Sequence, residues 1–161
     1  MRPTLHDSAA QDSAEDVVRR FAAGLQRAGD TLDADAYDRW FADDVLWGSP
    51  YGATLAGFAP LNEIHRRMMA GARGAVDPDA PPVGAPPVGA PPVGAPPVGA
   101  PASRFEVVAV RVPAPGVIVA QLRRRAVAEG GFSEMALYVL VERDGAWWLA
   151  AAQNTPIVSG R

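Results

Sequence analysis

The sequence predicts an α+β fold, with helices first and strands last. Two observations carry this. Apolar residues recur at helical spacing as far as Ala72, the signature of amphipathic helices. The last third consists of β-branched and apolar runs separated by Pro/Gly turns, with Asp144-Gly145 marking a tight hairpin between the final two. Helices followed by an antiparallel meander build helices packed on one face of a curved sheet.

The elements follow in order. Ser13 ahead of Ala14-Glu15-Asp16 reads as an N-cap with a carboxylate three residues on. Val17, Val18, Phe21, Leu25 and Ala28 supply the first buried stripe, and Gly29 is the expected stop. A second helix is expected from Asp33 to Asp43-Asp44, with Tyr37, Trp40 and Phe41 buried. Val45-Leu46-Trp47 reads as a short strand, Ser49-Pro50-Tyr51-Gly52 as a turn, and Ala53 to Ala56 as the returning strand. A third helix is expected from Pro60 to Ala72, with an apolar stripe of Leu61, Ile64, His65, Met68 and Ala72. Four strands follow: Phe105 to Val112, Val117 to Val127, Phe132 to Arg143 and Trp147 to Thr155.

The expected organisation is a flexible tail over 1–12 and a single domain over 13–158, interrupted by a Pro/Gly-rich insert over 77–103. The insert contains four copies of Ala-Pro-Pro-Val-Gly between Ala80 and Gly99. Proline removes backbone donors, and the segment has little apolar mass to bury, so a disordered or polyproline-like loop is expected. It reads either as a ligand for a proline-binding module or as a tolerated repeat expansion. The second is favoured because lengthening a surface loop costs little.

Composition narrows the function. The chain has 161 residues, a net charge of −3 and 48% hydrophobic residues, with a pI near 5.3. That balance suits a packed core and argues against a nucleic-acid groove, which needs a basic excess. The absence of cysteine excludes disulfides, thiolate metal sites and cysteine nucleophiles. No apolar run approaches the ~20 residues of a membrane span, and the polar start lacks the apolar core of a signal peptide. A cytoplasmic protein without nucleic-acid or membrane partners is expected. No residue spacing implies a metal or other cofactor.

The order of elements resembles the nuclear transport factor 2-like superfamily and its SnoaL-like branch. The matching pieces are Phe41-Ala42-Asp43-Asp44-Val45, Ser49-Pro50-Tyr51-Gly52, and Gly57 leading into the third helix. The run from Asp144 through Trp147-Trp148 to Gln153-Asn154-Thr155-Pro156-Ile157 is similar to the SgcJ/EcaC-type subgroup, some of whose members are encoded in enediyne polyketide gene clusters. The resemblance implies a cone-shaped curved antiparallel sheet, three helices on its concave side, and a pocket between them. This fold hosts isomerases, cyclases, hydrolases, dehydratases and pure binding proteins.

Side chains alternate along strands, so facing can be assigned from the pattern. On the third long strand the more apolar set, Ser133, Met135, Leu137, Val139 and Val141, is assigned inward. Glu134, Ala136, Tyr138 and Leu140 are assigned outward, toward a second subunit. On the last strand, Trp147, Leu149, Ala151 and Gln153 are assigned inward.

Ser49 and His65 are the candidate catalytic residues. Ser49 stands where ketosteroid isomerases of this superfamily carry a carboxylate base, and a hydroxyl cannot shuttle a proton as a carboxylate does. Leu25 and Leu137 likewise replace that family's oxyanion-hole Tyr and Asp. Ser49 therefore reads as a ligand hydrogen-bonding group or as an ordinary turn serine. His65 lies on the third helix stripe and reads as an acid/base group or as a partly buried, satisfied histidine. Trp47, Tyr51, Arg123, Met135, Leu137, Gln153 and Asn154 are the candidate substrate-binding residues. Arg123, Arg124 and Arg125 are consecutive, so Arg124 faces away from the other two.

The expected function is binding of a small apolar intermediate of polyketide or related secondary metabolism, with assistance to cyclisation or proton transfer. The expected partners are that ligand, a second copy of the chain, and a polyketide synthase or other biosynthetic protein. Two alternatives stand beside it: a non-catalytic accessory or carrier protein, and a dimerising association domain without a ligand.

Overall fold

A computed structural model describes residues 1–76, 103–127 and 131–157, without the side chains of 73–76. The expected insert lies outside the described residues except for Ser103. The first helix, α1, spans Gln11–Thr31 behind a 3-10 turn at Ser8–Ala10. Asp7, not Ser13, caps this start: its carboxylate accepts from Ala9 N–H at 2.9 Å. The chain is already tied down there, because Asp7 N–H donates to the Val112 carbonyl at 2.8 Å. Gly29 does not stop α1, since one helical glycine costs only ~1 kcal/mol. The stop comes at Leu32, which adopts φ 53°, and Asp33 N–H closes back onto the Ala28 carbonyl at 2.9 Å.

Asp33 caps α2 as expected, its carboxylate accepting from Ala36 N–H at 3.0 Å. The helix, Ala34–Asp38, is shorter than expected. Phe41 already begins strand β1 (Phe41–Gly48), so Asp43-Asp44 lies exposed on a strand rather than ending a helix. Strand β2 is Thr54–Ala56 and helix α3 is Phe58–Val76. Within α3, Leu61, Asn62 and His65 are buried while Ile64 and Met68 are exposed. The stripe is rotated from the expected one, toward Asn62.

Strands β3 (Arg104–Ala114), β4 (Val117–Arg125), β5 (Glu134–Arg143) and β6 (Ala146–Pro156) form the meander. Asp144 and Gly145 both have positive φ, 54° and 75°, as the tight β5–β6 hairpin requires. The sheet order is β2-β1-β6-β5-β4-β3. It is mixed rather than wholly antiparallel, because β1 runs parallel to β6. The helices cover one face. Val17, Val18, Phe21 and Leu25 of α1 share one core with Val110, Ile118, Leu122, Tyr138 and Leu140 of the sheet. Among the described residues no helix is long and apolar enough to cross a membrane.

The facing of β5 is the reverse of the expected one. Ala136, Tyr138 and Leu140 are buried against the helices, while Leu137 on the other face is 41% exposed. Both sets on this strand are apolar, so composition did not distinguish core from outer face, and a one-residue shift of frame exchanges the two. On β6 a bulge intervenes: Leu140 pairs with Leu149, but Val139 pairs with Ala151. The extra residue, Ala150, moves the inward frame from Leu149 to Ala152 and Asn154. Gln153 consequently lies exposed on the outer face.

Candidate functional site

Two short polar insertions into apolar stripes build the site. The α2 segment places Asp38 among Ala34, Tyr37 and Phe41, and α3 places Asn62 and His65 beside Leu61. Asp38 is completely buried and His65 is 8% exposed. His65 Nδ1 lies 2.7 Å from Asp38 Oδ1, and Asn62 Nδ2 donates to Asp38 Oδ2 at 3.0 Å. The same Asn62 amide donates to Asp35 Oδ1 at 3.2 Å. At the surface Asp35 also holds the Arg66 guanidinium at 2.8 Å. Those hydrogen bonds, that from Arg66 foremost, lower the Asp35 carboxyl below its ordinary value.

A carboxylate can only accept, so Asp38 orients the ring with N–H at Nδ1 and leaves the Nε2 lone pair free. The imidazole is walled by aromatic edges. Tyr37, Trp47 and Phe41 stand roughly perpendicular to it at centroid distances of 5.3, 5.5 and 6.2 Å. Tyr138 joins this wall at 6.5 Å from Trp47. Among the described residues, His65 Nε2 and the Tyr37 and Tyr138 hydroxyls have no hydrogen-bond partner. Burial, the main influence on both tyrosines, raises them above the ordinary phenol range. Both therefore remain O–H donors at neutral pH.

The inward rows of the sheet complete the arrangement. Arg124 and Glu134 are cross-strand partners on β4 and β5, with Arg124 Nε 2.9 Å from Glu134 Oε1. Burial, the main influence, raises the Glu134 carboxyl, and the neighbouring Arg124 guanidinium opposes that shift. The Arg124 guanidinium also stands 5.7 Å from the Phe132 ring centre. Phe132 in turn lies 5.7 Å from the half-exposed Tyr51.

The expected site residues separate into two groups. His65, Trp47 and Asn154 stand on the helix-covered face. Ser49 is a turn residue: its Oγ accepts from Tyr51 N–H at 3.2 Å and Ala53 N–H at 3.0 Å. Tyr51 is on the rim. Arg123, Met135, Leu137 and Gln153 lie on the opposite sheet face, with Arg123 paired to Glu106 at 3.2 Å. The inward arginine is Arg124. Sequence reasoning missed Asp38, Asn62, Glu134 and Tyr138 as site residues. Ala34-Tyr37-Asp38-Phe41 and Phe58-Leu61-Asn62-His65 each follow i, i+3, i+4, i+7 spacing. A polar residue in the third place of each quartet was the available signal.

Two surface depressions, of about 110 and 230 Å³, lie on the helix side, lined by residues including Arg27 and Arg39 and by Asp35 and Arg66 respectively. Neither includes His65 or its aromatic wall.

No protein-family model matches the sequence, and no curated protein matches it. Solved structures match the fold. A domain of unknown function with a cystatin-like fold from Nostoc punctiforme superposes with a TM-score of 0.63 at 15% identity, covering 91% of this chain and 79% of that one. A nuclear transport factor 2-like protein with a cystatin-like fold from Novosphingobium aromaticivorans gives 0.62 at 14% identity, covering 94% and 87%. A ketosteroid isomerase-like protein from Erwinia carotovora atroseptica gives 0.59 at 15% identity, covering 89% and 96%. The chain has the nuclear transport factor 2-like, cystatin-like fold.

Proposed function

We propose that this chain binds a small apolar molecule between its helices and its sheet, and that His65 moves a proton on it. The observation that carries this is the Asp38–His65 pair, 2.7 Å apart and buried, with Nε2 unpartnered inside an aromatic wall. An imidazole held in one tautomer by a carboxylate presents its second nitrogen as a general base. The aromatic rings suit a flat ligand, and the tyrosine O–H groups suit a carbonyl oxygen on which charge develops. The carbon acid is then one with its C–H next to a carbonyl, and the outcome is enolisation, isomerisation or cyclisation. The SgcJ/EcaC-type resemblance of the C-terminal run supports an intermediate of polyketide or related secondary metabolism as the natural ligand, with a cytoplasmic biosynthetic enzyme as the source.

The test is deuterium exchange at the acidic C–H of 2-tetralone, a flat apolar ketone, followed by NMR in heavy water. Wild type is expected to accelerate exchange, and His65→Gln to lose that acceleration by about 100-fold or more. Equal rates in the two proteins would exclude His65 as the base.

A second reading concerns assembly. The outer sheet face carries a continuous apolar row, Leu46, Ala151, Val139 and Val119, set by strand register, with exposed Leu137 and Trp148 beside it. A face this apolar favours a covering partner, and a homodimer through it is proposed. Light scattering at micromolar concentration should give the dimer mass, and Leu137→Asp should give the monomer. A monomeric wild type would refute the interface. Tyr138 is no test of it, because it lies in the core.

A further inference from the structure

The Asn154 side chain holds the least explained group inside the fold. It is 2% exposed, and its Nδ2 donates to the Gly48 carbonyl at 2.8 Å. A carbonyl only accepts, so this bond fixes which end of the amide meets Gly48. Oδ1 is left buried, with no hydrogen-bond partner. An acceptor in that state costs the fold about 1–3 kcal/mol, and folded proteins seldom leave one.

Its neighbours on the inward face are small. Ala136 lies directly across the β5–β6 pair, and Ala152 precedes it by two residues on the same strand. Ala120 and Ala152 flank Tyr138 in the adjoining row. All three alanines are buried. Methyl groups thus form a low floor from which Asn154 and Tyr138 rise, bounded by Trp47 on the β1 side. Oδ1 is closed to solvent, so a ligand reaches it only once the side chains above the floor move aside.

We infer that the ligand is a flat apolar molecule carrying a hydroxyl, a phenol or an enol, whose O–H donates to Asn154 Oδ1. This rests on the small-molecule reading above and narrows its substrate class. A hydroxyl carries a hydrogen to donate, so it satisfies the Asn154 acceptor. A ligand with only carbonyl or ether oxygens leaves Oδ1 as it is.

The experiment compares 2-naphthol with 2-methoxynaphthalene by calorimetry, and follows the Asn154 side-chain amide by ¹⁵N NMR. Wild type is expected to bind the naphthol about tenfold more tightly, the worth of one buried hydrogen bond. In Asn154→Ala the two probes should bind within about twofold of each other. The naphthol should shift the Asn154 amide resonances, and the ether should not. Equal wild-type affinities would overturn the hydroxyl subsite while leaving small-molecule binding intact. Should Asn154→Ala fail to fold for want of the Gly48 bond, the wild-type amide decides: an unmoved resonance at saturating naphthol overturns the inference. Binding of neither probe also overturns it, and the tetralone exchange then decides separately whether the proton-transfer reading stands.

Discussion

Asp38→Ala is expected to destabilise the protein by about 3 kcal/mol, read as a lower urea midpoint. Asp38 is completely buried, and two donors converge on its carboxylate, His65 at 2.7 Å and Asn62 at 3.0 Å. Removing it strands the His65 N–H without an acceptor, and each stranded buried group costs about 1–3 kcal/mol. The Asn62 amide keeps its second acceptor, Asp35, which limits the loss. Asp38→Asn separates stability from chemistry. Asn62 still donates to its oxygen, so the new amide N–H is turned toward His65 Nδ1 and drives the ring proton to Nε2. The fold should survive within about 1–2 kcal/mol, while tetralone exchange falls by about 100-fold or more because the base lone pair is gone. Imidazole ¹⁵N shifts should report the exchanged tautomer. An Asp38→Asn protein with wild-type tautomer and exchange rate would remove the dyad from the mechanism.

Phe21→Ala is expected to cost about 3–5 kcal/mol. Phe21 is fully buried on α1 and meets Trp40 and Tyr138 edge-on, at 5.6 and 5.2 Å. It is therefore the peg that joins α1 to the start of β1 and to the centre of β5. Its loss opens a cavity that two rigid rings fill poorly, and urea denaturation with an unchanged slope would register the full amount. A cost below about 1 kcal/mol would mean that the rings collapse into the space, and that α1 does not fix the position of Tyr138.

Much of the fold was legible in the sequence because its signals are local. The α1 stripe through Val17, Phe21 and Leu25, the Asp33 cap and the Asp144-Gly145 turn each act within a few residues. What escaped was non-local. The parallel pairing of β1 with β6 joins segments far apart in the chain, and no short pattern encodes it. The facing of β5 escaped because Met135, Leu137 and Val139 are as apolar as Ala136, Tyr138 and Leu140. The site was half legible. His65 stood out as a lone histidine on a helical stripe, but its partner Asp38 did not, because a buried acid is identified by what it touches. The roles of Ser49 and Gln153 rested on motif position and strict alternation. The turn geometry and the β6 bulge decided their surroundings instead.

That bulge also determines how this chain should be aligned with others. Beyond Ala150, every residue of β6 is displaced by one relative to a strand that pairs without interruption. A sequence one residue shorter at this point keeps the same inward set and closes into a regular ladder. Deleting Ala150 should therefore be among the mildest deletions β6 can accept. Losing a residue nearer the strand end would exchange the places of inner and outer side chains. A gapless alignment of such a shorter homologue, anchored on the Asp144-Gly145 hairpin, would set its counterpart of Asn154 against Gln153. Columns at the end of this strand become comparable only after the gap is placed at the bulge.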